Sequence, residues 1–281
     1  MSDLRHRRLV SRFMGLLAAS AAGIIMLPLL LILAFLLYQG GTALNLDFFL
    51  HLPKPVGEVG GGMANAIVGT LVLIALAAGL GVPVGILGGL YLAESRDRTL
   101  PWAVRFLADI LNGVPSIVIG IFVYTLVVRP MRHFSAIAGG VALGLIMIPI
   151  VLRTTEELVR LVPSSLREAG LALGVPQWKV IARIVIPTAG AGIVTGVMVA
   201  VARIAGETAP LLFTAFGNRF WHHGLDQPIA ALPLQIFAYA IAPYDDWHRQ
   251  AWAGALVLIA IVFVVSVVAR LATTRLYRVR G

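Results

Sequence analysis

Cysteine is absent from the 281 residues, which excludes a disulfide framework, a thiol nucleophile and a thiolate metal site. Charge is scarce as well, with Asp, Glu, Lys and Arg forming 12% of the chain against 59% hydrophobic residues. The mean hydropathy of +0.92 lies far outside soluble-domain usage and defines an integral membrane protein. Acidic residues are the scarcer sign, 13 against 22 basic ones, for a net charge of +9. Lysine is nearly missing too, since only Lys54 and Lys179 occur and the other basic residues are arginines. These arginines cluster beside apolar runs, which is a membrane-topology pattern and excludes a nucleic-acid reading of the charge.

Several chemical signatures are also missing. There is no GxxxxGK[ST] loop, so the chain is expected to hold no ATP of its own. It has no HExxH and no Ser or His in a nucleophile motif, so no catalytic residue is expected. His222 and His223 are adjacent but lack further ligands; they read as interfacial loop, and no metal site is expected.

What is present is a series of apolar runs. A basic start precedes an uncharged stretch whose apolar part, residues 13–37, is longer than a signal-peptide core of about 7–15 residues and suits a span of about 20. It reads as an uncleaved first span. Pro53, Pro55 and Gly60-Gly61-Gly62 then mark a loop. Further spans are expected at about 62–92, 110–128, 134–152, 188–215 and 251–269, within one transmembrane domain over 1–281. Residues 94–105 read as a short charged loop, with Asp109 as a helix-start carboxylate. Asn112, Gly113, Pro115 and Ser116 weaken the start of the third span. Irregular backbone is tolerated in a bilayer only against protein or water, so this end is a candidate pore wall. Gly85, Gly88 and Gly89 suit close helix packing. Trp221, Tyr239, Tyr244 and Trp247 are the aromatics expected at a lipid–water boundary, with 228–242 as a short interfacial helix.

Residues 163–187 form the longest stretch that cannot sit in lipid. Ser165 with Glu168 three residues on has capping-box spacing. Gly174 suits the left-handed end of a helix, and Pro176 the first position of another. The expectation is helix, tight turn, helix. DNA-reading motifs share this outline, but hydrophobic segments on both sides leave DNA no route to it. Placing both chain ends inside puts sixteen basic residues there, against Lys54, Arg129, Arg132, Arg219 and Arg249 outside, and so satisfies the positive-inside rule.

One basic residue belongs to neither group. Arg203 falls near the middle of the fifth span, with Glu207 four residues later on the same helix face. A charge at the bilayer centre costs about 2.5–3.5 kcal/mol on insertion scales, so such a pair needs a protein or aqueous partner. One reading is a structural salt bridge. The other is an anion path, in which arginine offers planar donors to a tetrahedral oxyanion. Glu207 then neutralises Arg203 in the empty state and accepts a proton from an oxyanion that carries one, as phosphate does.

Glu168-Ala169-Gly170, three residues, Gly174, nine residues and Ile184-Val185-Ile186-Pro187 resemble the EAA loop of ABC-importer permeases, written EAA-x3-G-x9-I-x-L-P. Gly170 replaces the second alanine and Ile186 the leucine. RIAGETAPLLF and the third-span DILNGVPSIVIGIF resemble the A-type permeases of the phosphate-specific (Pst) branch. The resemblance implies an all-α integral membrane protein of the ABC importer permease fold, with six transmembrane helices and a cytoplasmic coupling segment over 153–187. It implies that Glu168, Ala169, Gly170, Gly174 and Pro187 dock an ATPase, and that Arg203, Glu207 and Arg153 line the substrate path. For Arg153 a snorkelling positive-inside residue is an equal alternative. Implied partners are a C-type permease, an ATP-binding cassette ATPase dimer that binds ATP and Mg, an extracytoplasmic phosphate-binding protein, phosphate and membrane lipid. No cofactor is expected on this chain. The expected location is the bacterial cytoplasmic membrane, with both termini cytoplasmic. A permease for molybdate, sulfate or phosphonate, or an anion channel or sensor, remains as an alternative.

Overall fold

In a bilayer an uncharged run satisfies its backbone within helices or a closed barrel, and helix is what these runs form. The computed structural model describes residues 2–55, 58, 60–95, 97 and 99–278. Arg96, Arg98 and Arg280, which enter the charge count, lie outside the described residues. The long helices are α1 (Ser2–Gly40), α3 (Ala64–Glu94), α6 (Ala136–Arg160), α8 (Gln177–Ala205) and α11 (Asp245–Arg278), with the shorter α2 (Leu46–Leu50) between the first two. A bent pair, α4 (Thr99–Gly113) and α5 (Ser116–Met131), follows α3, and α7 (Ser164–Ala172), α9 (Ala209–Leu212) and α10 (Leu232–Ala240) complete the set. Among the described residues five helices are long and apolar enough to cross a membrane, and the bent pair makes up to six.

The core forms where small residues meet large ones. Gly81 and Gly85 of α3 lie against Met147 and Val151 of α6, while Gly139 and Gly140 of α6 receive Leu73 and Leu76 of α3. A Cβ on Gly85 would stand 2.7 Å from that of Val151, so the two helices approach as closely as glycine permits. Gly88 and Gly89 pack on Leu152 in the same seam. Helix α8 covers another side of α6, with Gly192 on Leu158 and Gly196 on Thr154. Buried Leu73, Leu143, Met147, Val201, Ile204 and Leu211 fill the space between. Helix α1 is exposed along most of its length and meets this body near its C-terminal end, where Phe35 and Gly40 both pack on Trp252 of α11.

Several boundaries differ from the sequence expectation. Residues 99–105, read as part of a charged loop, are helix, in α4, and the third crossing breaks by 105° between α4 and α5. Val114 precedes Pro115 and is thereby pushed out of the helical region. Asp109 consequently lies well inside α4, not at a helix start. Helix α8 starts at Gln177 and absorbs the second half of the docking segment, and it stops at Ala205 rather than continuing to 215. Within it Ile181–Val185 is a π turn, two residues ahead of Pro187. Tyr124–Val128 in α5 is another, two residues ahead of Pro130. In each case the proline lacks the N–H that would bond the carbonyl four residues back, and the turn widens before it. Tyr239 and Trp247 face protein: they are 2% and 7% exposed and stack at 4.4 Å, because α10 folds back onto α11. Trp221 and Tyr244 are exposed.

Candidate functional site

Three polar places hold the residues that bear on function. The first is Arg203 with Glu207. Helix α8 ends at Ala205 with Gly206 as its C-cap, and Pro210 lies in the first turn of α9. Arg203 therefore occupies the last turn of α8, and Glu207 stands just beyond it, not mid-span on one continuous helix as the sequence suggested. The two still pair, Nη1 of Arg203 with Oε1 of Glu207. Their exposures differ widely, 57% for the arginine side chain and 7% for the glutamate. A buried acid thus holds an arginine whose other donors face outward. Pro210, three residues after Glu207, sits directly on Gly120 of α5, where a Cβ would stand 2.6 Å from the proline Cα.

The second place surrounds Glu156 on α6, which is 2% exposed. Its carboxylate takes Arg105 Nε at 2.6 Å, Arg160 Nη2 at 2.8 Å and Arg153 Nη1 at 3.0 Å. Arg153 Nε also pairs with Asp109 at 3.1 Å. Arg105 and Arg160 donate again to the Leu92 carbonyl near the end of α3. Two ties therefore join α4 to α6, and the apolar contact of Val104 and Ala108 with Leu92 and Leu152 reinforces them. Arg153 and Arg203 are not brought together. Gly196 abuts Thr154, and Arg203 lies two helical turns farther along, about 10 Å at 1.5 Å per residue.

The third place is the docking segment. The expected capping box is not formed: Pro163 is the N-cap, α7 starts at Ser164, and no side chain caps it. Ser165 falls inside the first turn, where its hydroxyl is past the capping position. Arg167 does the anchoring instead. It reaches the Val159 and Val162 carbonyls at 2.8 and 2.6 Å and Glu94 of α3 at 2.9 Å. Gly174 has φ +77° and its N–H donates to Leu171 at 2.9 Å, the left-handed turn expected there. Pro176 is the N-cap of the next helix rather than its first residue. Glu168 and Ala169 are exposed, Gly170 is buried against Val180 and Ile184, and Pro187 is partly buried within α8. Leu173 and Trp178 are 84% and 65% exposed, so the turn presents an apolar tip beside an acid.

Sequence reasoning missed Glu156, Arg105, Arg160, Arg167 and Glu94. The Arg153, Glu156, Arg160 spacing of three and four residues was a readable signal. Arg105 and Arg167 gave none, since their acids lie 51 and 73 residues away.

Residues 85–278 match the family described as "Binding-protein-dependent transport system inner membrane component". A Yersinia pestis protein named "Phosphate transport system permease protein PstA" is 48% identical over 233 residues, covering 83% of this chain and 79% of its own. The chain belongs to this permease family. A Xylella fastidiosa (strain Temecula1) family member of the same name is 49% identical over 237 residues, with 84% and 82% covered. Among solved structures, a bacterial alginate ABC transporter in complex with its periplasmic protein superposes with TM-score 0.67 over 95% of this chain and 96% of its own, at 14% identity. That likeness extends the family assignment to the fold, an all-α membrane body of the ABC transporter permease kind.

Proposed function

We propose that this chain is a transmembrane permease subunit of an ATP-driven importer and carries inorganic phosphate into the cytoplasm as one half of a permease dimer. The observation that carries the reading is the asymmetry of the Arg203–Glu207 pair. A transport site has to hold its anion strongly enough to admit it and weakly enough to release it. An arginine half-neutralised by a buried glutamate meets both needs, because its outward donors fit two oxygens of a tetrahedral anion. Glu207 also repels a fully ionised anion and accepts a proton from a hydrogen-bearing one, which favours phosphate over sulfate. Relatives bearing the phosphate permease name at 48% and 49% identity support the same substrate.

In this reading residues 153–187 face the cytoplasm, as do both termini, in a bacterial cytoplasmic membrane. Glu168, Ala169, Gly170, Gly174 and Pro187 shape the tip that seats in an ATP-binding cassette dimer, which binds the ATP and Mg. The second permease is of the C type, and an extracytoplasmic phosphate-binding protein delivers the anion from the opposite face. Arg153 enters differently from Arg203, since its guanidinium is committed to Glu156 and Asp109.

The test is purification of the chain with its partner subunits and reconstitution into vesicles, followed by ATP-dependent uptake of labelled phosphate. Uptake should be outcompeted by unlabelled phosphate and not by sulfate, molybdate or phosphonate. Uptake down a gradient without ATP would reject an importer in favour of a channel.

A further inference from the structure

The bent pair α4–α5 touches two of the three polar places, one on each arm, either side of the bend. On the α4 arm, Arg105 and Asp109 are tied to Glu156 and Arg153 of α6. Glu156 in turn holds Arg160, which lies in sequence between Val159 and Val162, whose carbonyls receive Arg167 of the docking segment. The Leu92 carbonyl and Glu94, side by side at the end of α3, accept from Arg105, Arg160 and Arg167. A displacement of α7 is therefore passed to α4 through short, charge-assisted bonds with little slack. On the α5 arm, one turn past the bend, Gly120 lies against Pro210 with no room for a Cβ, and Pro210 belongs to the short segment that carries Glu207. The 105° bend between α4 and α5 converts movement along one arm into movement across the other.

We propose that α4–α5 is the lever that links ATPase docking to the Arg203–Glu207 pair, with Glu156 as the positioning residue that holds its α4 arm and Gly120 as its contact on the substrate segment. The proposal rests on the permease reading above. When the docking segment moves, the Glu156 cluster carries α4 with it, and α5 shifts Pro210 and so Glu207 relative to Arg203. Separating the acid from the arginine changes how firmly the guanidinium binds an anion. The ionic cluster is thus part of the transport cycle without touching the anion.

The experiment compares phosphate transported per ATP hydrolysed in the reconstituted full complex. Gly120→Ala forces Pro210 away on one arm, and Arg105→Gln removes one tie on the other while leaving Glu156 two arginines. Each is expected to lower that ratio about fivefold or more, the usual size of a coupling between sites, while ATP hydrolysis and membrane abundance persist. The double variant should be no worse than the poorer single one, because both interrupt one linkage. Arg105→Lys, which keeps a cation beside Glu156, should retain the ratio. A merely structural role lowers abundance, hydrolysis and uptake together and leaves the ratio alone; that result overturns the lever, as does a double variant whose losses multiply. If Gly120→Ala fails to assemble, Arg105→Gln decides. Should the unaltered complex move no phosphate, the permease reading fails first, and separately from this inference.

Discussion

Glu156 and Glu207 are both buried carboxylates paired with arginine, yet they are held in opposite ways. Glu156 serves three guanidinium groups from two helices, at 2.6 to 3.0 Å. Glu207 serves one, four residues back on its own chain segment, and that arginine is 57% exposed. An acid shared three ways is fully compensated by cations that are themselves occupied, so the cluster fastens helices. An acid with a single half-exposed partner leaves the cation available. Arg160 is 53% exposed, close to Arg203, but each arginine at Glu156 has a second acceptor, in Asp109 or the Leu92 carbonyl, whereas Arg203, among the described residues, pairs with Glu207 alone and so has the donors that suit a passing anion.

The contrast is broken most severely at Glu156. Glu156→Ala leaves Arg105, Arg153 and Arg160 facing one another beside the α3 seam. Removing one partner of a buried ion pair costs about 3–5 kcal/mol, so little folded protein should reach the membrane; immunoblots of membrane fractions check this, and normal abundance would show the cluster to be dispensable. Arg203→Gln should do the reverse, with normal abundance and labelled-phosphate uptake near background, because length and some donors remain while the charge is lost. Glu207→Gln keeps the cation without its counter-charge and should slow uptake less completely. Arg153→Gln should cost less again, since Glu156 retains Arg105 and Arg160. A loss as complete as that of Arg203→Gln would move Arg153 from the fastening cluster into the path.

The sequence displayed one of these acids far better than the other. Arg203 and Glu207 were legible because they lie four residues apart in an apolar run, where any charge demands a reason. Glu156 sits in Arg153-Thr-Thr-Glu156-Glu-Leu-Val-Arg160, which reads as a solvated helix end until α4 is folded over it. Arg105 was assigned to a loop for the related reason that the helix break came at Val114–Pro115 and not before residue 110. The left-handed turn at Gly174 was local and was anticipated correctly. The anchoring of that turn was not, because Arg167 works through Glu94 and carbonyls made available by the α6 end. Local geometry was therefore readable, and contacts across 50 or more residues required the packed α3–α6 seam.

The central claim is that the Arg203–Glu207 pair is a path and not a bridge. If it were only a bridge, two neutral amides would hydrogen-bond across the same gap and restore function. Labelled-phosphate uptake in cells carrying the Arg203→Gln/Glu207→Gln double variant, with membrane abundance measured beside it, separates the two. The account predicts uptake near background at normal abundance. A fully active double variant would contradict it and place the anion path elsewhere in the molecule.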